Sequence, residues 1–378
     1  MRDTVRPAAQ IEQTLSAAWP LVIAVPARNE ACRIARTLAA LGQQIGETPE
    51  SCRIIVLANN CTDDTAARAC LAAQTLAFKV DVIEVDFPPQ TAHVGRARGH
   101  ALALAAESLA QHPEAILATT DADTLVAPNW AQRTRLALAS ADAVGGRILT
   151  LPEERRALPP ALRRLQLQDT AYHLLASQLL CQLDPDPFDQ WPRHHQHFGA
   201  SLALRLSAWR QLSAWPEVRC LEDVALIEAL TRLDLRVRHC PEVKVWTSAR
   251  MSRRVEVGLS SQLREWQGLQ GGGKDWRVPG AAELDASGRA RYALRRAWNG
   301  RKTCSYRSLE QLWMVGAGEL NAALGKPTFG LALEAATLAR HQAGVWALHF
   351  PAVAIEQALS DLRARLTPFP SELETVLA

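Results

Sequence analysis

Four short apolar runs, each followed by a stretch with helical spacing, fill residues 20 to 150 of this 378-residue chain. That alternation admits few folds. Strands that are apolar throughout need cover on both faces, and strand–helix repeats supply it around a parallel sheet. The runs are Leu21 to Val25, Arg53 to Ala58, Val80 to Val85 and Ala115 to Thr120. After the first, Ile34, Leu38, Leu41 and Ile45 recur at helical spacing. Thr62 or Asp63 is placed to cap the helix after the second, and Gly95 to Leu109 reads as the helix after the third. Pro128 suits the first turn of the helix after the fourth.

From about residue 158 the pattern is more helical. Arg163 to Leu183 reads as one long helix, stopped by Asp184-Pro-Asp-Pro. Leu221-Glu-Asp opens another helix, Arg236 to Val245 reads as a strand, Gly271-Gly-Gly-Lys marks a flexible loop, and the region beyond about residue 285 is helical. The expected organisation is an N-terminal extension (1–19), an α/β half (20–150), a second half of the same domain (151–284), and a helical C-terminal region (285–378).

Composition narrows the function classes. Apolar residues make 48% and charged residues 21%, the balance of a globular protein rather than a disordered one. With 42 Lys and Arg against 39 Asp and Glu the net charge is only +3, which argues against nucleic acid as partner. No run reaches the roughly 18 apolar residues of a membrane span, and the N-terminal segment is polar where a signal peptide is apolar. The eight cysteines are scattered without a CxxC pair, as in reduced thiols of a cytoplasmic protein.

The chemistry concentrates at strand ends. Asp121-Ala-Asp123 follows the fourth strand, and ligands of open α/β sheets bind outside the carboxyl ends of the strands. Two carboxylates one residue apart can converge on a hard cation that bridges phosphates; the alternative is a solvated, helix-capping turn. Pro26-Ala-Arg-Asn-Glu30 follows the first strand, Asn59-Asn-Cys-Thr-Asp-Asp-Thr65 the second, and Glu222-Asp223 opens a helix about a hundred residues after the DxD. No G-x-G-x-x-G follows a strand, which disfavours a dinucleotide-dependent dehydrogenase.

In this order the segments resemble the family 2 glycosyltransferases of the GT-A fold, with their P-x-x-N-E turn, Asp-rich turn, DxD and late E-D pair, over roughly residues 20 to 260. His93-Val-Gly-Arg-Ala-Arg-Gly-His100 resembles the family's Gly/basic segment. The resemblance implies a Rossmann-like, mostly parallel sheet flanked by helices, with a helical C-terminal extension. It implies that Pro26, Arg28, Glu30, Asn59 and Asp63 line the nucleoside pocket of a nucleotide-sugar donor, and that Arg96 and Arg98 approach its diphosphate or base. Asp123 would be the principal ligand of a divalent cation (Mg or Mn), Asp121 would touch metal or ribose, and Asp223 would be the general base of an inverting transfer. Phe198-Gly199-Ala200-Ser201 resembles the acceptor-side turn, so Gly199, Ala200, Glu222 and Trp191 are acceptor-side candidates.

Two departures from the family pattern matter. Ala58-Asn59 stands where an acidic residue is common, which leaves the donor base open. Gln262-Leu-Arg-Glu-Trp266 has the wrong spacing for the Q-x-x-R-W motif of processive synthases, so a single-addition enzyme is expected. The rivals are a sugar-phosphate nucleotidyltransferase, which needs a Gly-rich loop where Pro26-Ala-Arg-Asn-Glu30 stands, and a non-catalytic nucleotide-sugar-binding module. Arg250, Arg253 and Arg254 are either lid cations for the diphosphate or an exposed basic helix, and Gly258 to Gly280, with Arg264 and Lys274, is expected to be a lid. Arg289 to Lys302, basic with Tyr292 and Trp298 interleaved, is either a peripheral membrane contact or a solvated face. The acceptor is left open: a saccharide, a lipid-linked group or a small molecule.

Overall fold

The computed structural model describes residues 20–112, 114–251, 257–271, 275–300 and 306–366. Two compact units emerge. The first comprises residues 20–156 with Gln196–Leu230 and Leu235–Ser261; the second comprises Ala157–His195, Thr231–Asp234 and the chain from Gln262 on.

The first unit is built on eight strands: β1 (Leu21–Ala27), β2 (Cys52–Asn59), β3 (Lys79–Val85), β4 (Ile116–Thr119), β5 (Leu125–Val126), β6 (Ala143–Thr150), β7 (Leu202–Arg205) and β8 (Val237–Thr247). They form one sheet in the order β3-β2-β1-β4-β7-β6-β8-β5. β3, β2, β1 and β4 run parallel, as the strand–helix alternation requires, and β6 runs parallel to β8. β7 is antiparallel to both β4 and β6, and β5 is antiparallel to β8. The sheet is therefore mixed, parallel over the half that the alternating pattern covers.

Each central strand feeds two cores, because successive side chains point to opposite faces. From β1, Leu21, Ile23, Val25 and Ala27 pack on one face with the Ile34–Gly42 helix, while Val22 and Ala24 pack on the other with the Val94–Ser108 helix. The helix expected at Pro128 follows β5 and starts at Trp130, two residues beyond that proline, with Asn129 at its N-cap.

The second unit is helical. Helix Pro160–Leu183 contributes Tyr172 and Leu179 to a core with Ala358, Leu359 and Leu362 of helix Ile355–Arg365. Residues 157–195 and 262–284, expected in the second half of the sheet domain, thus belong to this unit, because the apolar face of the long helix is covered by C-terminal helices. Most of the expected lid is helix Leu259–Gly271, while Lys274 lies outside the described residues. Arg340 is buried between the rings of Trp313 and Trp346, with its guanidinium carbon 3.9 and 3.7 Å from their centroids. Burial lowers its pKa to about 10, and the nearby Glu283 carboxylate opposes that shift.

Close backbone approach fixes one glycine here. A Cβ on Gly330 would overlap the Thr231 carbonyl oxygen, and backbone cannot swing aside as a side chain can. Asp234 caps this helix by accepting from the Phe329 and Gly330 amides at 2.8 and 2.7 Å. Gly330→Ala is therefore expected to destabilise the protein by about 1–3 kcal/mol, the usual cost of overpacking, read as a lower midpoint in denaturant unfolding.

Candidate active site

β1, β2 and β4 are parallel neighbours, so their carboxyl ends open at one edge, and the polar segments noted above follow those ends. The turns after β1 and β2 are stitched to each other. The Thr62 amide donates to Asn29 Oδ1 at 2.7 Å, the Glu30 amide to Thr65 Oγ1 at 2.7 Å, and the Ala31 amide to Asp63 Oδ2 at 3.2 Å. Asn29 and Asn60 take the left-handed conformation, with φ of 54° and 47°, which asparagine tolerates better than most residues. Asn60 then bonds both the amide and the carbonyl of Phe87, tying the end of β2 to the segment beyond β3. Asp63 also accepts from the Thr65 amide at 3.1 Å, so it holds this turn together.

The donor-side candidates divide by exposure. Pro26, Glu30 and Asn59 are buried, while Arg28, Asp63 and Arg96 are exposed. Arg28 donates to the Ala92 carbonyl at 2.9 Å, and Arg96 pairs with Glu217.

Arg98 is different. It was expected at the diphosphate or on a solvated helix face, yet its side chain is only 3% exposed. Its Nε donates to Glu222 Oε1 at 2.9 Å, one Nη to Thr119 Oγ1 at 2.7 Å and the Gly199 carbonyl at 3.0 Å, and the other Nη to Asp121 Oδ1 at 2.7 Å. That burial has a sequence signal. Arg98 falls on the stripe of Gly95, Ala101, Leu102 and Ala105, the buried face of its helix, whereas Arg96 falls off it. Burial opposes its charge, but Asp121 and Glu222 outweigh that and hold it protonated. Gly199 is required beside it, because a Cβ there would run into the guanidinium.

Asp223 lies in the first turn of helix Glu222–Arg232 and is buried, preceded by Leu221 at φ 59°. Its Oδ2 accepts from the Gly199 amide at 2.6 Å and its Oδ1 from the Val224 amide at 2.8 Å. Burial and the adjacent Glu222 raise its pKa above the usual carboxylate range, against the pull of Arg98 and the two amides. Of the acceptor-side candidates, Gly199, Ala200 and Glu222 are gathered here, while Trp191 belongs to the second unit.

Asp123 meets a separate cation. Arg250 Nη2 lies 2.9 Å from Asp123 Oδ2, and the same guanidinium pairs with Glu30, its Nη1 at 3.0 Å from Oε2. Burial, helped by Asp121 and Glu30, pushes the Asp123 carboxyl up to about 7 despite Arg250. Sequence reasoning missed Thr247, whose hydroxyl lies 2.9 Å from that of Thr124 and 3.5 Å from Asp123 Oδ1. It also missed Glu154, which accepts from Arg33 at 2.7 Å and from the Ala249 amide at 2.7 Å and so fixes the segment before Arg250. Arg253 and Arg254 lie outside the described residues. Among the described residues no group of three His, Cys, Asp or Glu side chains is arranged to hold a metal alone. The Asp121 and Asp123 carboxylates, one residue apart and mutually repelling, nevertheless suit a hard cation completed by phosphate oxygens and water.

The Arg98 cluster and the Arg96 pair should respond differently to mutation. Arg98→Met strips the partner from buried Glu222 and should cost about 3–5 kcal/mol. Arg96→Ala, at an exposed pair, should stay within about 0.5 kcal/mol. Denaturant titration of both variants checks the contrast.

Residues 22–206 match the model described as glycosyl transferase family 2. No curated protein matches. Among solved structures, the chain is similar to the mannosyltransferase PcManGT from Pyrobaculum calidifontis in complex with GDP-Man and Mn2+, at 16% identity, 92% coverage of this chain, 86% of that chain and a TM-score of 0.44. It is also similar to S. aureus TarS 1-349 in complex with UDP-GlcNAc, at 13% identity, 91% coverage of each chain and a TM-score of 0.45. A third is glucosyl-3-phosphoglycerate synthase from Mycobacterium tuberculosis, with 18% identity, 73% and 87% coverage and a TM-score of 0.42. These identities are low, and the assignment rests on the family match. Over residues 22–206 the chain belongs to glycosyl transferase family 2, and the enzyme is a glycosyltransferase.

Proposed function

We propose that the enzyme transfers one sugar per cycle from a nucleotide-diphosphate donor to an acceptor hydroxyl, with inversion, and that it uses a divalent cation, Mg or Mn. The observation that carries this reading is the separation of two carboxylates with different partners. Asp123 stands at the β4 end with Arg250, while Asp223 stands at a helix start held by the Gly199 and Val224 amides. Inversion needs that division, because the acceptor must attack on the face opposite the departing diphosphate.

Pro26, Arg28, Glu30, Asn59 and Asp63 would bind the nucleoside, and Arg96 the diphosphate or base. Asp123 and Asp121 would hold the cation, which when bound supplies Lewis-acid neutralisation of the leaving diphosphate. Arg250, held by Glu30 and Asp123, is a cation placed to turn toward phosphate oxygens. Asp223 takes the proton from the acceptor hydroxyl. Its raised pKa makes it a stronger base than a solvated carboxylate, and its two amide donors fix its orientation.

The tests separate binding from chemistry. A thermal-shift screen of UDP-, GDP- and dTDP-sugars with Mn should find a stabilising donor, since a ligand bound only by the native state raises the melting temperature. Asp123→Ala should abolish the Mn-dependent shift; a shift that survives overturns the metal role. Asp223→Asn should keep the donor shift and lower nucleoside diphosphate release by roughly 10²- to 10⁴-fold.

The pH dependence has a definite sign. Asp223 must be ionised to accept a proton, so kcat/KM should fall as pH drops through a pKa above the ordinary carboxylate range. That acidic limb should vanish in Asp223→Asn. Near-normal turnover in this variant would refute the general-base assignment.

A further inference from the structure

The β6–β8 ladder carries a pair of cations that the transfer step does not use. Gly145 lies opposite His239 and Gly146 opposite Cys240; after a register shift, pairing resumes with Arg147 opposite Lys244, Ile148 opposite Val245 and Thr150 opposite Thr247. Residues directly opposite in a ladder share a face, and faces alternate along each strand. Ile148, Val243 and Val245 pack into the core on one face. Arg147 and Lys244 therefore stand together on the other.

Both side chains are half-buried, and among the described residues neither makes an ion pair or a side-chain hydrogen bond. Other strand arginines of this sheet do have a carboxylate, Arg53 with Asp81 and Arg205 with Glu114, while Glu242, two residues before Lys244, is engaged by Arg133. Like charges placed opposite each other in a ladder are unfavourable, and a half-buried guanidinium without a counter-charge is more so. Burial lowers the Arg147 pKa, and no carboxylate offsets it.

The location ties this pair to the acceptor side. A Cβ on Gly145 would meet His197 Cα at 2.9 Å, and His197 Nδ1 lies 3.1 Å from His239 Nε2. Gln196 brackets Ile148, accepting from its amide at 2.8 Å and donating to its carbonyl at 3.1 Å. The same segment continues through His197 to Gly199, whose amide holds Asp223. Arg147 is thus the next residue beyond Gly145 on the face that this segment crosses, about 7 Å further along the strand.

We propose that Arg147, with Lys244 across the ladder, forms an oxyanion subsite for the acceptor, so that the molecule receiving the sugar carries a phosphate or carboxylate as well as its hydroxyl. This inference rests on the transfer reading above for the word acceptor, but not for the site itself. The planar guanidinium fork suits two oxygens of either group, and the lysine adds a point charge.

The experiment is calorimetric titration of the full chain, without nucleotide, using glycerol 3-phosphate, glycerate and glycerol as probes. At least one anion should bind, the stronger of the two identifying phosphate or carboxylate, and glycerol should not. Arg147→Gln should weaken that anion at least tenfold, Lys244→Gln severalfold, and Arg147→Lys should recover part of the loss. Arg133→Gln removes a positive charge from the exposed pair with Glu242 and should change nothing. Failure of both anions to bind, or undiminished binding in Arg147→Gln, overturns the subsite. If no nucleotide sugar stabilises the protein while Arg147→Gln still abolishes anion binding, the transfer reading fails and the subsite stands.

Discussion

The guanidinium of Arg98 ties its own helix to three other segments of the chain. It binds Thr119 at the end of β4, Asp121 beyond it, the Gly199 carbonyl in the turn before β7, and Glu222 at the start of a helix. Three of these neighbour a group to which a role is proposed above. Asp121 is next but one to Asp123, Glu222 is next to Asp223, and Gly199 gives its amide to Asp223 and its carbonyl to Arg98. One buried charge therefore ties the turn that carries Asp123 to the helix start that carries Asp223. Such a pair adds little net stability by itself, since desolvation consumes much of the attraction. Its effect is on geometry: five donors in a rigid plane leave few alternative arrangements for four acceptors.

Much of this fold was legible. The parallel half of the sheet followed from apolar runs alternating with helical spacing, and the strand ends carried the polar turns. β7 was not legible, because four residues reading Leu-Ala-Leu-Arg carry too little periodicity to separate strand from helix. The unit boundary was also hidden. Whether Tyr172 and Leu179 face the sheet or the C-terminal helices depends on partners almost two hundred residues away, which no local pattern encodes.

The site candidates divide along the same line. Asp121, Asp123 and Asp223 announced themselves by residue type and by their place after a strand or before a helix. Arg96 and Arg98 looked equivalent as a basic pair, and only the helical period distinguishes the enclosed one from the exposed one. Thr247 and Glu154 gave no local signal, because a threonine ending a strand and a glutamate in a charged helix are commonplace until their distant partners are known.

The reach of the Arg98 cluster bears on how the chain is made. Thr119 and Asp121 leave the ribosome soon after Arg98, but Glu222 lies 124 residues later. At about 5–20 residues per second, the arginine waits some 6–25 s for its last carboxylate. During that interval β1 to β4 can already be paired, and the turns after β1 and β2 can be stitched, with the guanidinium still open to water. The order of synthesis thus allows the sheet half to assemble around an unfinished charge, whose closure waits for the segment that carries Asp223.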